Sequence, residues 1–405
     1  MIFKLKGQFQ HYDWGGQNFI PNWLKLAEAE NRPYAEYWLG SHRSAPSLIE
    51  VEGKWLPLDQ VIDTAPELLG EESREQFGDE LPYLLKILDV KQPLSIQLHP
   101  TKSEAEHGFE RENQAGIALN APNRTYKDRN HKPEMMIALS DFWLLHGFKS
   151  VADMQASLNV HSSLQPIAKA LADKGLPTVY AEIMQADQRQ LAEWLLPVIE
   201  AKQADFAADK LKLDDPDYWV LYTLNAMQIP LEKLDAGLLC FYLFNIVQLK
   251  KGEGIYQGAG LPHAYLRGQN IELMAASDNV IRGGLTPKYV DIPALLHTID
   301  YRAVVPKIIP AYEKDQDESE EAIYLYPTPE AKDFALQRLD FKPFDEETFT
   351  TTSASILLVM SGSLYLDLGT DSIHLKQGES VFIGAESKVD FIGETDGYAV
   401  IATLP

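Results

Sequence analysis

About residue 150 the sequence changes texture, and about residue 247 it changes back. From Met1 to Lys149 it runs in strand-length apolar pieces broken by Gly, Pro and Asn, among them AEYWLGSH, LPYLLKILDV, LSIQLHP and PEMMIALSDFWLLHGF. Such pieces read as strands, with some helix expected near Leu58 to Phe77. From Ser150, Ala, Leu, Gln, Asp and Lys take over, and VADMQASL, LQPIAKALADKG and the long run VYAEIMQADQRQLAEWLLPVIEAKQADFAADK space their apolar residues as helices do. After Phe244 strand texture returns. DIPALLHTI reads as a short helix, and Phe334 to Pro405 alternates apolar and polar residues between Gly-containing turns, the pattern of a sandwich or barrel. The expected fold is mainly β with a helical insert: residues 1–149 and 248–312 form one β unit, 150–247 a helical domain and 313–405 a second β unit.

A faint repeat joins the two β regions. LKKGEGIYQGAGLPHAY returns 126 residues later as LKQGESVFIGAESKVDF, so Leu249, Lys250, Gly252, Glu253, Gly258 and Ala259 recur as Leu375, Lys376, Gly378, Glu379, Gly384 and Ala385. A KxGE turn that feeds a strand ending in a Gly-Ala bend, placed in two β regions, suggests duplicated jelly-roll barrels. Val389 stands where the first copy has His263, so one unit keeps a polar site that the other lacks.

Charge narrows the partners. The 405 residues carry 59 acidic and 36 basic side chains, a net charge of -23. That field repels phosphate backbones and anionic lipid, which argues against nucleic acid and membrane surfaces. An anionic substrate needs a local cluster of cations. The charge run Glu313 to Glu321 reads as a solvated linker. The single cysteine, Cys240, sits in the apolar run GLLCFYLF with no flanking cation and reads as a structural core thiol. With no secretory pattern at the N-terminus and no apolar run of the roughly 20 residues a membrane span needs, a cytoplasmic protein is expected.

Three segments bring metal-ligand types together. SIQLHP places Ser95, Gln97 and His99 on one face of a strand and Ile96 and Leu98 on the other. Taken alone, the Q-x-H pair reads equally as a hydrogen-bonded Gln beside a partly buried His. HKPEMMIAL adds Lys132 and Glu134, again two residues apart, and LPHAYL adds His263. Two imidazoles, a carboxylate and an amide oxygen suit Zn²⁺, with Mn²⁺ and Fe²⁺ left open by ligand type. IELMAASDNVIRGGLTPKYVD is the densest polar stretch, holding Glu272, Asp278, Asn279, Arg282 and Lys288. It reads either as an ordinary charged loop or as the positive field that a phosphorylated substrate requires. His131 reads as solvent-exposed or as lining the same cavity, and His107, His146, His161 and His297 as structural.

QPLSIQLHP, NHKPEMMIAL and above all PHAYLRGQNIELMAASDNVIRGGLTPKYVD resemble signature blocks of the type I mannose-6-phosphate isomerases, and YDWGG and AEYWLGSH are similar to further blocks. The resemblance implies two cupin-type jelly-roll units with a helical domain between them. It implies one Zn²⁺ held by residues matching Gln97, His99, Glu134 and His263, an essential arginine at Arg282, and pocket positions at Tyr265, Glu272, Lys132 and Lys288. The implied reaction interconverts mannose 6-phosphate and fructose 6-phosphate by moving a proton between C2 and C1 through an enediol. On this reading Arg282, Glu272 and Lys132 carry the chemistry, while Lys288, Tyr265, Ser95 and Asp278 contact the sugar phosphate. A monomer is expected, with a dimer as the alternative. Two other readings compete: a cupin oxygenase using non-haem Fe²⁺, against which Gln97 and the cation cluster argue, and a non-catalytic sugar-binding β-protein, which would not need the polar stretch from Glu272 to Lys288.

Overall fold

The computed structural model describes residues 1–313, 322–328, 330–369 and 371–405; the charge run read as a linker lies outside them, apart from Glu313. The described fold is mainly β, with sheets of ten, eight and four strands and a helical section between residues 150 and 244.

The ten-stranded sheet is organised by one long strand, His263–Ala275. Its second half pairs with Tyr83–Val90 and Glu134–Ala138, its first half with Phe142–Phe148 and Gln97–Leu98. The exchange of partners coincides with a register shift between Tyr265 and Arg267, and an irregularity of that kind bends a strand. Gly268 follows at φ 130°, where a side-chain carbon would meet the Asp141 carbonyl oxygen at 2.8 Å. Only glycine fits that approach.

The eight-stranded sheet draws on both ends of the chain. Ile2–Lys6 pairs with Ser380–Ile383 on one side and Leu48–Val51 on the other, so the N-terminal strand and the hairpin Leu48–Val51/Lys54–Pro57 lie in one sheet with strands of residues 323–403. Against it packs the four-stranded sheet Glu346–Thr350, Lys388–Gly393, Ser363–Asp367 and Ser372–Lys376, around an apolar core that includes Leu357, Leu366, Val381 and Val389. Val389, the counterpart of His263 in the repeat, is therefore part of a hydrocarbon interior.

The repeat itself is visible in its turns. The Lys250 amide donates to the Glu253 carboxylate at 2.7 Å and the Lys376 amide to Glu379 at 2.8 Å. In both turns the Glu amide returns to the Lys carbonyl at 2.9 Å, and Gly252 and Gly378 adopt φ 90° and 85°. One turn chemistry is used twice.

The helices Val151–Asn159, Gln165–Lys174, Leu176–Met184, Gln188–Ala207 and Pro216–Ala226 match the helical spacing. The long run divides, because Asp187 caps a new helix by accepting from the Gln190 amide. Their apolar faces pack against the strands, and Ile96 and Leu98 are fully buried in that shared core. The helices thus cover the back of the segment whose other face carries Gln97 and His99. Cys240 lies in the same core, where burial pushes its thiol well up from the usual range, as a structural thiol requires.

Sequence spacing missed the helix Lys102–Gln114, which starts directly after His99. Its signal was present: Thr101 and Glu104 form a capping box, each side chain bonding the other's backbone amide. No helix of the described residues is long and apolar enough to cross a membrane.

Candidate metal centre and sugar-phosphate site

Three buried side chains converge from three segments. The ligand atoms of His99, Glu134 and His263 all lie within 4.8 Å of one another. Nε2 of each histidine stands 3.3 Å from an oxygen of Glu134. None of these contacts is a hydrogen bond: both Nε2 atoms and Glu134 Oε2 are buried without a partner. The reason lies on the other side of each ring. His99 Nδ1 is 2.8 Å from the Asn279 carbonyl and His263 Nδ1 is 2.9 Å from that of Leu261. A carbonyl only accepts, so each Nδ1 carries the proton and each Nε2 presents a lone pair to the centre. Leaving three such atoms unsatisfied is costly in a folded interior, and a divalent cation bound by nitrogen and oxygen removes that cost. The donor set therefore fits a metal ion.

Burial pushes His99 down to about 4, against the pull of Glu134, which keeps the imidazole neutral as a ligand must be. For Glu134 burial works the other way, but its surroundings, with the Lys132 ammonium 3.4 Å away, outweigh it and hold the carboxyl well below its ordinary range. Gln97 is directly opposite both His263 and Arg282 in the antiparallel register. All three side chains therefore project from the same face.

Cations surround this centre. Lys132, nearly buried, has its ammonium 3.4 Å from Glu134. Arg282 is half-buried, and among the described residues no carboxylate forms an ion pair with it. Lys127 also feels its charge. Glu272, 4% exposed, accepts from the Tyr265 hydroxyl at 2.8 Å. Burial and the charge of Glu134 raise its pKa, while Lys86 opposes the rise.

The other expected residues are placed more loosely. Asp278 is bound by His42 at 2.8 Å, and Lys132 and Lys86 both act on its carboxylate. It also lines a cleft of about 260 Å³ with His42, Arg43 and Asp128. The acids Asp59, Asp63, Asp79 and Glu80 on that cleft make it the wrong wall for a phosphate. Ser95 is half-buried on the segment leading into Gln97. Lys288 is exposed, with its backbone amide bonded to the Thr286 hydroxyl.

Sequence reasoning missed several groups. Lys86 is buried between Glu36 and Glu272, with both carboxylates 3.4 Å from its ammonium, which also lies over the Trp38 ring. The signal was a lone lysine in the otherwise apolar run LPYLLKILDV, since a lysine is buried only when paired. His146, read as merely structural, is directly opposite His263 and bonds the Gln257 side chain at 2.9 Å. His131 is neither free nor in the centre: it reaches Asp333 at 2.7 Å. His161 pairs with Asp217 at 2.8 Å, a partner 56 residues away that no local spacing could reveal.

Residues 2–151 match the family model described as phosphomannose isomerase type I, catalytic domain. Over 400 residues the chain is 36% identical to mannose-6-phosphate isomerase of Escherichia coli (strain K12), covering 96% of this chain and 97% of that protein. The human enzyme of the same name is 31% identical over 420 residues, covering 96% and 94%. Among solved structures, mannose 6-phosphate isomerase from Salmonella typhimurium bound to fructose 6-phosphate and zinc superposes with a TM-score of 0.86 at 31% identity, covering 100% of this chain and 99% of that one. A zinc-bound holo form superposes with a TM-score of 0.85. End-to-end similarity of this kind, together with the convergence of His99, Glu134 and His263, makes the chain a member of the type I mannose-6-phosphate isomerase family.

Proposed function

We propose that this chain is a zinc-dependent aldose–ketose isomerase that interconverts mannose 6-phosphate and fructose 6-phosphate. The observation that carries the reading is the set of three buried, partnerless lone-pair atoms of His99, His263 and Glu134 beside an unpaired Arg282. Those three residues, with the Gln97 amide oxygen as fourth donor, would hold Zn²⁺, which supplies a Lewis-acid charge beside the O1/O2 edge of the sugar.

The chain's own groups do the rest. Glu272 takes the C2 proton and returns it at C1. Its raised pKa suits that task, and the Tyr265 hydroxyl and Lys86 hold it in place. Lys132 and Arg282 set positive charge against the enediolate oxygens as charge develops there. Lys288, helped by Lys132 or Arg282, holds the phosphate, and Ser95 and Asp278 accept sugar hydroxyls. The net charge of -23 belongs to the rest of the surface.

The same reading treats 1–149 with 248–312 as the catalytic cupin-type jelly roll, 150–247 as the helical domain and 313–405 as a second jelly roll without a metal site. Its support is the division of polar and apolar interiors. Ile2–Lys6 and Leu48–Pro57 then serve as the seam between the two β units, since they hydrogen-bond into the second. We take the protein to act as a cytoplasmic monomer. The relatives match over nearly their whole length, which leaves the oxygenase and non-catalytic readings without a supporting observation.

The test is a coupled assay on mannose 6-phosphate with metal analysis of the same sample. Turnover that follows the zinc content supports the reading, and an inactive zinc-loaded protein overturns it.

A further inference from the structure

Asp278 has a partner to which no role has been given. Both its carboxylate oxygens are within reach of His42 Nε2, at 2.8 and 3.0 Å. The ring's tautomer is set from its far side, where the Ser44 backbone N–H donates to Nδ1 at 3.2 Å and the Ser44 hydroxyl lies 2.8 Å from the same nitrogen. A nitrogen that accepts a backbone N–H carries no proton, so the proton is on Nε2 and is donated to Asp278.

The ring is braced in turn. Trp38 meets it at 5.0 Å in a T-shaped contact, and the same indole carries the Lys86 ammonium over its face at 4.9 Å. The Asp278 backbone is pinned separately, its N–H donating to Asp128 at 2.7 Å. Besides His42, the charged or titratable groups that face this carboxylate include Lys132, Lys86, Lys127, Tyr12 and Asp128, with Arg43 on the same cleft.

We propose that His42 is a positioning residue for the isomerase reaction: an Nε2–H donor that fixes the Asp278 carboxylate against the pull of Lys132 and Lys86. Held in this way, the carboxylate can accept a sugar hydroxyl, and Lys132 stays available to the negative charge of the substrate. Without His42 the charges of Lys132 and Lys86 still act on the carboxylate, and a half-exposed Asp278 side chain turns toward them. It then competes with the sugar phosphate. The inference rests on the reading of Asp278 as a sugar-facing carboxylate.

The experiment compares the zinc-loaded wild type with His42→Ala, His42→Gln, Asp278→Asn and the double variant His42→Ala/Asp278→Asn, measuring kcat, KM, zinc content and Tm for each. A charged hydrogen bond misplaced at the substrate is expected to raise KM roughly tenfold in His42→Ala, with kcat reduced much less. Zinc content and Tm stay at the wild-type values. His42→Gln, which keeps an N–H donor, recovers most of the loss, and His42→Ala adds nothing once Asp278 is already Asn. Wild-type kinetics in His42→Ala beside a crippled Asp278→Asn overturns this inference alone. Wild-type kinetics in Asp278→Asn overturns the assignment beneath it. Additive losses, or zinc and fold lost together with activity in His42→Ala, would make His42 a structural residue and overturn the proposal.

Discussion

Lys86 gives the sharpest test of how the interior is balanced. It sits on Tyr83–Val90, a strand buried at every position, with the Glu36 and Glu272 carboxylates each 3.4 Å away. At that separation and an effective dielectric of about 20, each pair is worth about 5 kcal/mol of attraction. Desolvating the three charges offsets much of it, but removing the cation alone leaves two buried carboxylates facing each other, and breaking a buried pair costs about 3–5 kcal/mol. In a chain of 405 residues that is a fall in Tm of roughly 4–6 °C for Lys86→Met. Differential scanning calorimetry of the zinc-loaded protein measures it. Lys86 also lowers the pKa of Glu272, so the acidic limb of the activity profile should move to higher pH in the variant. Adding Glu36→Gln to Lys86→Met removes one uncompensated charge and should return about 1–3 kcal/mol. An unchanged Tm for Lys86→Met, or a double variant no more stable than the single, would refute this electrostatic account.

Four further outcomes follow from the site and its supports. His263→Ala removes one of the lone pairs that face Glu134, so zinc and activity should disappear together, read by metal analysis and the coupled assay. Arg282→Ala should leave zinc near one equivalent and lower kcat by about 10²–10³, the usual cost of losing an oxyanion donor; loss of zinc in that variant would contradict the separation of roles. Gln97→Ala should weaken zinc retention in a competition titration with a chelator while Tm of the zinc-loaded form changes little, whereas wild-type retention would remove Gln97 from the ligand set. Asp217, 3% exposed, is disfavoured as an anion by burial, but hydrogen bonds from His161 and Tyr242 outweigh this and hold its carboxyl below the usual carboxylate range. Its stabilisation is therefore in place above the unfolded-state value and is lost as pH falls through the lower folded one, and Asp217→Ala should cost about 3–5 kcal/mol near neutrality, measured by urea unfolding.

Local patterns marked the pieces of the metal centre: Gln97 and His99 alternate with Ile96 and Leu98, and the structure buries the latter pair under the helices, while the meeting of His99 with Glu134 and His263 is a matter of the fold. The KxGE repeat was legible for the same reason, since a turn is written in four adjacent residues, and the hydrogen bonds of Glu253 and Glu379 reproduce each other. Contacts between distant segments were not legible. The pairing of Ile2–Lys6 with Ser380–Ile383 joins residues nearly a full chain apart, and alternation within a strand does not name its neighbour. Lys86, His146 and His42 were passed over because each matters through a partner on another strand or loop. For Lys86 the apolar run around it concealed the two acids that justify its burial. Arg282 shows the reverse: its motif made it conspicuous, and what the structure adds is that no carboxylate among the described residues forms an ion pair with it.

If His99, Glu134 and His263 hold the zinc on which isomerisation depends, turnover must track metal at that centre. The decisive measurement is a titration of zinc into chelator-stripped protein while mannose 6-phosphate turnover is followed. The stripped protein should show no turnover, and recovery should be linear, saturate at one zinc per chain and be absent in His263→Ala. Full activity in the stripped protein, or recovery by zinc in His263→Ala equal to that of wild type, would contradict that dependence.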